Sequence, residues 1–135
     1  MSSVDAFDLA RHTNEEAAQH FTRVHRQADN YCNVKLNHAR ACICVSRAQA
    51  FVDCTWRDYL GISAVEVAPS HRGKGEFRKL VLRLFAIAIL MKRTLCITEV
   101  YGERLLEIMS KGPWRPYAWF CGDPTKAPVD FAMIG

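Results

Sequence analysis

No stretch of the 135 residues is apolar enough for long enough to cross a bilayer. The longest apolar run, Leu80 to Met91, is broken by Arg83 and falls well short of the roughly 20 residues a spanning helix needs. No charged-then-apolar leader opens the chain, so no secretory signal is expected. Cysteine is present at six positions, but no C-x-x-C pair occurs and no histidine cluster stands at zinc-finger spacing. That removes the usual structural-zinc pattern and leaves Cys32, Cys42, Cys44, Cys54, Cys96 and Cys121 as small buried hydrophobes. Charge of one sign is also scarce. The net charge of +4 suits an anionic ligand but falls below the excess of a dedicated nucleic-acid binder. No Ser-His-Asp order, P-loop, H-E-x-x-H or EF-hand pattern is present, and no repeat, low-complexity tract or linker divides the chain. These absences imply one domain over residues 1–135, with no metal and no membrane, in a reduced cytoplasmic setting.

Half of the residues are hydrophobic and about a quarter charged, enough for a core without staples. Thr13 with Glu16 three residues on reads as a helix start. Ala17, Phe21, Val24 and Ala28 then recur at helical spacing to about residue 30. His12, His20 and His25 in this region read as surface or boundary histidines. Residues 30–40 are polar and turn-rich, which predicts a connector or a short helix over Cys32 to His38. Residues 41–45 and 50–55 predict an antiparallel hairpin, Trp56 to Tyr59 a connection, and Leu60 to Val67 a third strand. Glu76 to Lys92 is apolar nearly all round, which predicts a helix buried on most faces with basic solvated ends, Arg83 among them. Thr94 to Val100 is a strand that should run parallel to residues 62–67 through a right-handed crossover. A helix over residues 102–111 stops at Gly112-Pro113. Two final strands, 117–121 and 129–134, flank a turn at Gly122-Asp123-Pro124.

The most informative stretch is Val65-Glu66-Val67-Ala68-Pro69-Ser70-His71-Arg72-Gly73-Lys74-Gly75-Glu76-Phe77-Arg78. Val65 and Val67 alternate with polar residues as in a half-buried strand, and Pro69 ends it. Gly73 and Gly75 let the backbone curl close to a ligand with its N–H groups inward. Those groups would lie at the N-terminus of the following helix, an anion site, with Arg72, Lys74 and Arg78 adding positive charge.

At these residues the chain resembles the GCN5-related N-acetyltransferases, whose Arg/Gln-x-x-Gly-x-Gly/Ala loop binds the pyrophosphate of acetyl-CoA. Arg72 to Gly75 supply the first four positions, and Phe77 stands where the family has glycine or alanine. The resemblance follows element order from about residue 40 to the end, with weaker support at residues 110–114. It implies an α/β (α+β) fold: a mixed, mostly antiparallel sheet of about six to seven strands, helices on both faces, and a splayed parallel pair at the cofactor cleft. It implies acetyl-CoA as co-substrate, held by Val65, Val67, Arg72, Gly73, Lys74, Gly75, Glu76, Phe77 and Arg78. Where the family commonly has a tyrosine that protonates the thiolate of CoA, this chain has Ile108, and the nearest hydroxyls are Tyr101 and Ser110. Backbone N–H groups near Val67 would polarise the thioester, with Glu66 as leading base and Glu99 second.

Three readings follow. The first is an acetyl-CoA-dependent N-acetyltransferase acting on a primary amine of a protein, peptide or small molecule, with a homodimer as a possible assembly. The second is a non-catalytic binding or assembly protein on the same fold, such as a phage virion component. The third is an acyltransferase acting on aminoacyl-tRNA, which the basic balance permits.

Overall fold

The computed structural model describes residues 6–27, 31–45, 49–52, 55–100, 115–119 and 129–133. Helix α1 spans Asn14–His25, and its start is the capping box read in the sequence: Glu16 N–H donates to Thr13 Oγ1 while Thr13 N–H donates to the Glu16 carboxylate. Ala17, Phe21 and Val24 are its buried side. Ahead of it, the two-residue strand β1 (Phe7–Asp8) leads into a 3-10 turn over Leu9–Arg11.

Residues 30–40 depart from the expected connector or helix. Tyr31–Leu36 form strand β2, which turns through Asn37 and His38 into β3 (Ala39–Cys44). Cys32, Val34 and Leu36 alternate with Asn33 and Lys35, a strand period, and Asn37 takes the left-handed φ of 55° that the tight turn demands. The expected hairpin between residues 41–45 and 50–55 is also revised. Strand β4 (Gln49–Val52) pairs with the start of β5 (Thr55–Val67), whereas β3 lies between β2 and β5. Trp56 to Tyr59, expected as a connection, belong to β5.

Helix α2 spans Glu76–Leu90. Lys92 ends it in a left-handed conformation (φ 59°), with its N–H on Ile89 O and the Arg93 N–H on Ala88 O. This is a Schellman stop with lysine at the position glycine usually fills. Strand β6 (Thr94–Val100) follows, then β7 (Arg115–Trp119) and β8 (Val129–Met133). Among the described residues eight strands join one sheet in the order β1-β2-β3-β5-β6-β8-β7, with β4 on β5. The β1–β2 and β5–β6 pairs are parallel and the others antiparallel.

One face of this sheet carries Val34, Ala39, Ala41, Ile43, Leu60, Ile62, Leu95 and Ile97 in register. These side chains pack against Ala17 and Phe21 of α1 and Leu80, Leu84 and Ile87 of α2, so both described helices cover the same face. The expected helix over residues 102–111 lies outside the described residues. Cys42 and Cys44 sit on the opposite face, and both are reduced, as are Cys32 and Cys96. Helix α2 is less buried than its composition suggested, with Leu82, Ile89 and Leu90 each about half exposed. Among the described residues no helix is long and apolar enough to cross a membrane.

Candidate cofactor site

The site begins where two parallel strands part. Register between β5 and β6 runs from Tyr59↔Thr94 to Ile62↔Ile97 and ends there, although β5 continues to Val67 and β6 to Val100. Beyond that point β5 follows β3 (Glu66↔Arg40, Val67↔Ala39), while β6 follows β8 (Val100↔Val129). A bulge accompanies the divergence. Between Ser63↔Cys42 and Glu66↔Arg40, β5 carries one residue more than β3, and Ala64 takes φ 51° to accommodate it. Such a bulge bends its strand and increases the local twist. Among the described residues, the backbone edge of β5 facing β6 therefore has no strand partner after Ile62. Ala68 N–H donates to His38 O at 2.9 Å, on the β3 side. Strand alternation then turns the backbone groups of Val67 the other way, toward the opening. The Val67 carbonyl there accepts from Arg72 Nε at 3.2 Å.

The loop after β5 is a 3-10 turn over Pro69–His71, followed by Gly73 (φ 78°) and Gly75 (φ 81°). Both glycines are left-handed, so any other L residue there is strained, although a side chain would meet open space. Gly75 is the N-cap of α2 and offers no side-chain cap, and the first helical bond runs from Lys79 N–H to Gly75 O. The N–H groups of Glu76, Phe77 and Arg78 find no backbone acceptor among the described residues. Uncapped donors and the positive end of the helix dipole thus face the same opening, flanked by exposed Arg72, Lys74 and Arg78.

The other predicted site residues fall as follows. Val65, Val67 and Phe77 are half-buried with side chains packed on the hydrophobic core, so the phenyl ring is accommodated by the core. Glu66 is exposed, opposite Arg40, on the sheet face away from both helices. Glu76 is buried. Tyr101, Ser110 and Ile108 lie outside the described residues, and Glu99 is described in its backbone only.

The tertiary structure adds contacts between segments distant in the chain. His38, at the tip of the β2–β3 turn, stacks on His71 of the loop with ring centroids 3.4 Å apart. Ser70 Oγ lies 2.9 Å from His71 Nδ1. This stack and the Ala68–His38 bond fasten the loop to a hairpin tip distant in sequence. Cys32 and His20 also meet, Sγ 3.5 Å from Nε2. Burial pushes the Cys32 thiol up to about 11, helped by Cys42, and burial followed by the charges of Arg23 and His12 holds His20 below its ordinary value. Neither shift favours a thiolate–imidazolium pair, so the contact is structural. No group of three or more His, Cys, Asp or Glu able to hold a metal ion occurs among the described residues.

No protein-family model matches the chain, and no curated protein matches it. The fold is similar to a solved structure of the AtaT Y144F mutant toxin bound to the C-terminus of the antitoxin AtaR and acetyl-CoA. The likeness has a TM-score of 0.54 at 15% sequence identity, over 96% of this chain and 88% of the other. At that identity it shows a shared fold alone.

Proposed function

We propose that this protein is an acetyl-CoA-dependent N-acetyltransferase that moves an acetyl group directly to a primary amine. One observation carries the reading: β5 and β6 part after Ile62 and Ile97, beside a helix start with two left-handed glycines, N–H groups that lack a backbone acceptor among the described residues, and three cationic side chains. A diphosphate needs donors and positive charge, and its arm needs a slot lined by unpaired backbone; both lie together here. The similar structure holds acetyl-CoA, which supports that ligand, and holds a protein segment, which supports a protein partner for this chain.

Acetyl-CoA would supply an acetyl thioester. The N–H groups of Gly73 to Arg78, with Arg72, Lys74 and Arg78, would hold its diphosphate. The open edge of β5 near Val65 and Val67 offers N–H groups to the thioester oxygen, where developing negative charge is best stabilised by fixed donors. Glu66, exposed on the face away from the helices, is assigned as the base that takes a proton from an incoming ammonium. Tyr101 and Ser110 are the hydroxyls assigned to return a proton to the leaving thiolate.

Calorimetric titration with acetyl-CoA tests the reading. Wild type should bind, and Gly75→Val should weaken binding at least tenfold. Mass spectrometry of amine-bearing proteins and small amines should then detect acetyl addition, reduced by Glu66→Gln. No binding by wild type rejects the proposal, and binding without transfer leaves the non-catalytic reading standing.

A further inference from the structure

Glu76 is the first residue of α2, only 8% exposed, and its Oε2 has no hydrogen-bond partner among the described residues. A buried acceptor left unpaired costs stability, and a charged one costs more. Favourable interaction with the helix dipole does not require this burial, because a solvated carboxylate in the first turn gains it as well. The position of the side chain suggests another purpose. Glu76 continues the buried stripe Leu80, Leu84 and Ile87, so it lies on the sheet-facing side of α2. That helix returns over the sheet from the end of β5, which puts its first turn level with residues 63–67, where β6 no longer pairs. Helical side chains lean toward the N-terminus, which carries this carboxylate toward the loop and the gap.

Resting on the acetyl-CoA reading above, we propose that Glu76 is a ligand-recognition residue: its carboxylate accepts a hydrogen bond from a hydroxyl or amide N–H on the carrier arm beside the diphosphate. The loop N–H groups read the anionic oxygens and Glu76 reads the neutral donor next to them. Together they discriminate a diphosphate bearing such an arm from a bare one. A lone carboxylate beside a diphosphate would otherwise only repel it, so the two roles predict opposite results.

The test uses the full chain, with Glu76→Leu and Glu76→Gln compared by calorimetry against acetyl-CoA and inorganic pyrophosphate, and by thermal melting. Glu76→Leu should melt a few degrees higher, because the orphaned acceptor is gone. It should bind acetyl-CoA at least tenfold more weakly and pyrophosphate no more weakly than wild type. Glu76→Gln keeps an acceptor oxygen and should hold acetyl-CoA within about threefold; it also carries the test if the leucine variant fails to fold. Unchanged or tighter acetyl-CoA binding by Glu76→Leu overturns the proposal. Equal loss of both ligands also overturns it, because the loop itself has then changed. If wild type binds pyrophosphate but not acetyl-CoA, or neither, the acetyltransferase reading fails first and this contact falls with it.

Discussion

The guanidinium of Arg83 donates to Leu9 O at 2.8 Å, to His12 O and to Asn14 Oδ1. It clamps the N-terminal 3-10 turn and the start of α1 onto α2. In the sequence Arg83 interrupts an apolar helix and reads as part of a solvated basic end; nothing local says that two carbonyls and an amide wait for it. Arg83→Met would leave those acceptors without this donor, and hydrogen bonds to a charged group contribute about 1.5–3 kcal/mol each net of exchange with water, less where water can reach the acceptors left behind. The expected loss is on the order of 3 kcal/mol in urea denaturation, with Arg83→Lys recovering only part because it lacks the planar fork. The glycines are the opposite case. Gly73 and Gly75 were legible from residue type alone, and the structure places both at positive φ.

Among the elements, β5 decides most. Among the described residues it pairs with three strands, β4, β3 and β6, and its bulge at Ala64 separates the part that follows β6 from the part that leaves it. Ala64 is exposed and holds φ 51°, which costs an alanine about 1–2 kcal/mol. Ala64→Gly should therefore raise stability by about 1 kcal/mol in chemical denaturation, after allowing for the greater flexibility of glycine, while acetyl-CoA binding persists. A loss of stability would mean that the side chain, not the bend, sets this position. The bulge is not readable in the sequence, because Ser63-Ala64-Val65 carries no glycine to mark one. Gly61 sits in regular register, with Tyr59 and Cys44 against the space a Cβ would take. The β2 strand was missed for a related reason, since Asn33, Asn37 and His38 gave residues 30–40 a turn-like composition that outweighed the alternation of Cys32, Val34 and Leu36.

For the molecule as a whole, the N-terminal strand is held to the body by rings. Phe7 stacks between His12 and His20, at centroid distances of 4.2 and 4.4 Å. Burial, then the charges of Arg23 and His12, lowers the pKa of His20 from its free value of 6.5. Between the folded and free values the unfolded chain binds more protons, so stability rises with pH across that window and falls as pH drops below 6.5. Thermal melting should therefore show a lower midpoint at pH 5 than at pH 7.5. His20→Phe keeps a ring on Phe7, cannot take a proton, and should narrow that difference; an unchanged difference would place the sensitivity elsewhere.

The sequence by itself determined the local elements and the chemistry of the loop: the capping box of α1, the strand–loop–helix around Gly73 and Gly75, and the parallel return through β6. These depend on periodicity, caps and backbone freedom, which act within a few residues. Only the tertiary structure decided which strands pair, where β5 and β6 part, that Arg83 is clamped, that His38 meets His71, and that Glu76 is buried with an oxygen to spare. Each of these is a contact between segments far apart in the chain. Such a contact depends on how the packed layers bring separate segments together, and no short window of sequence carries that information.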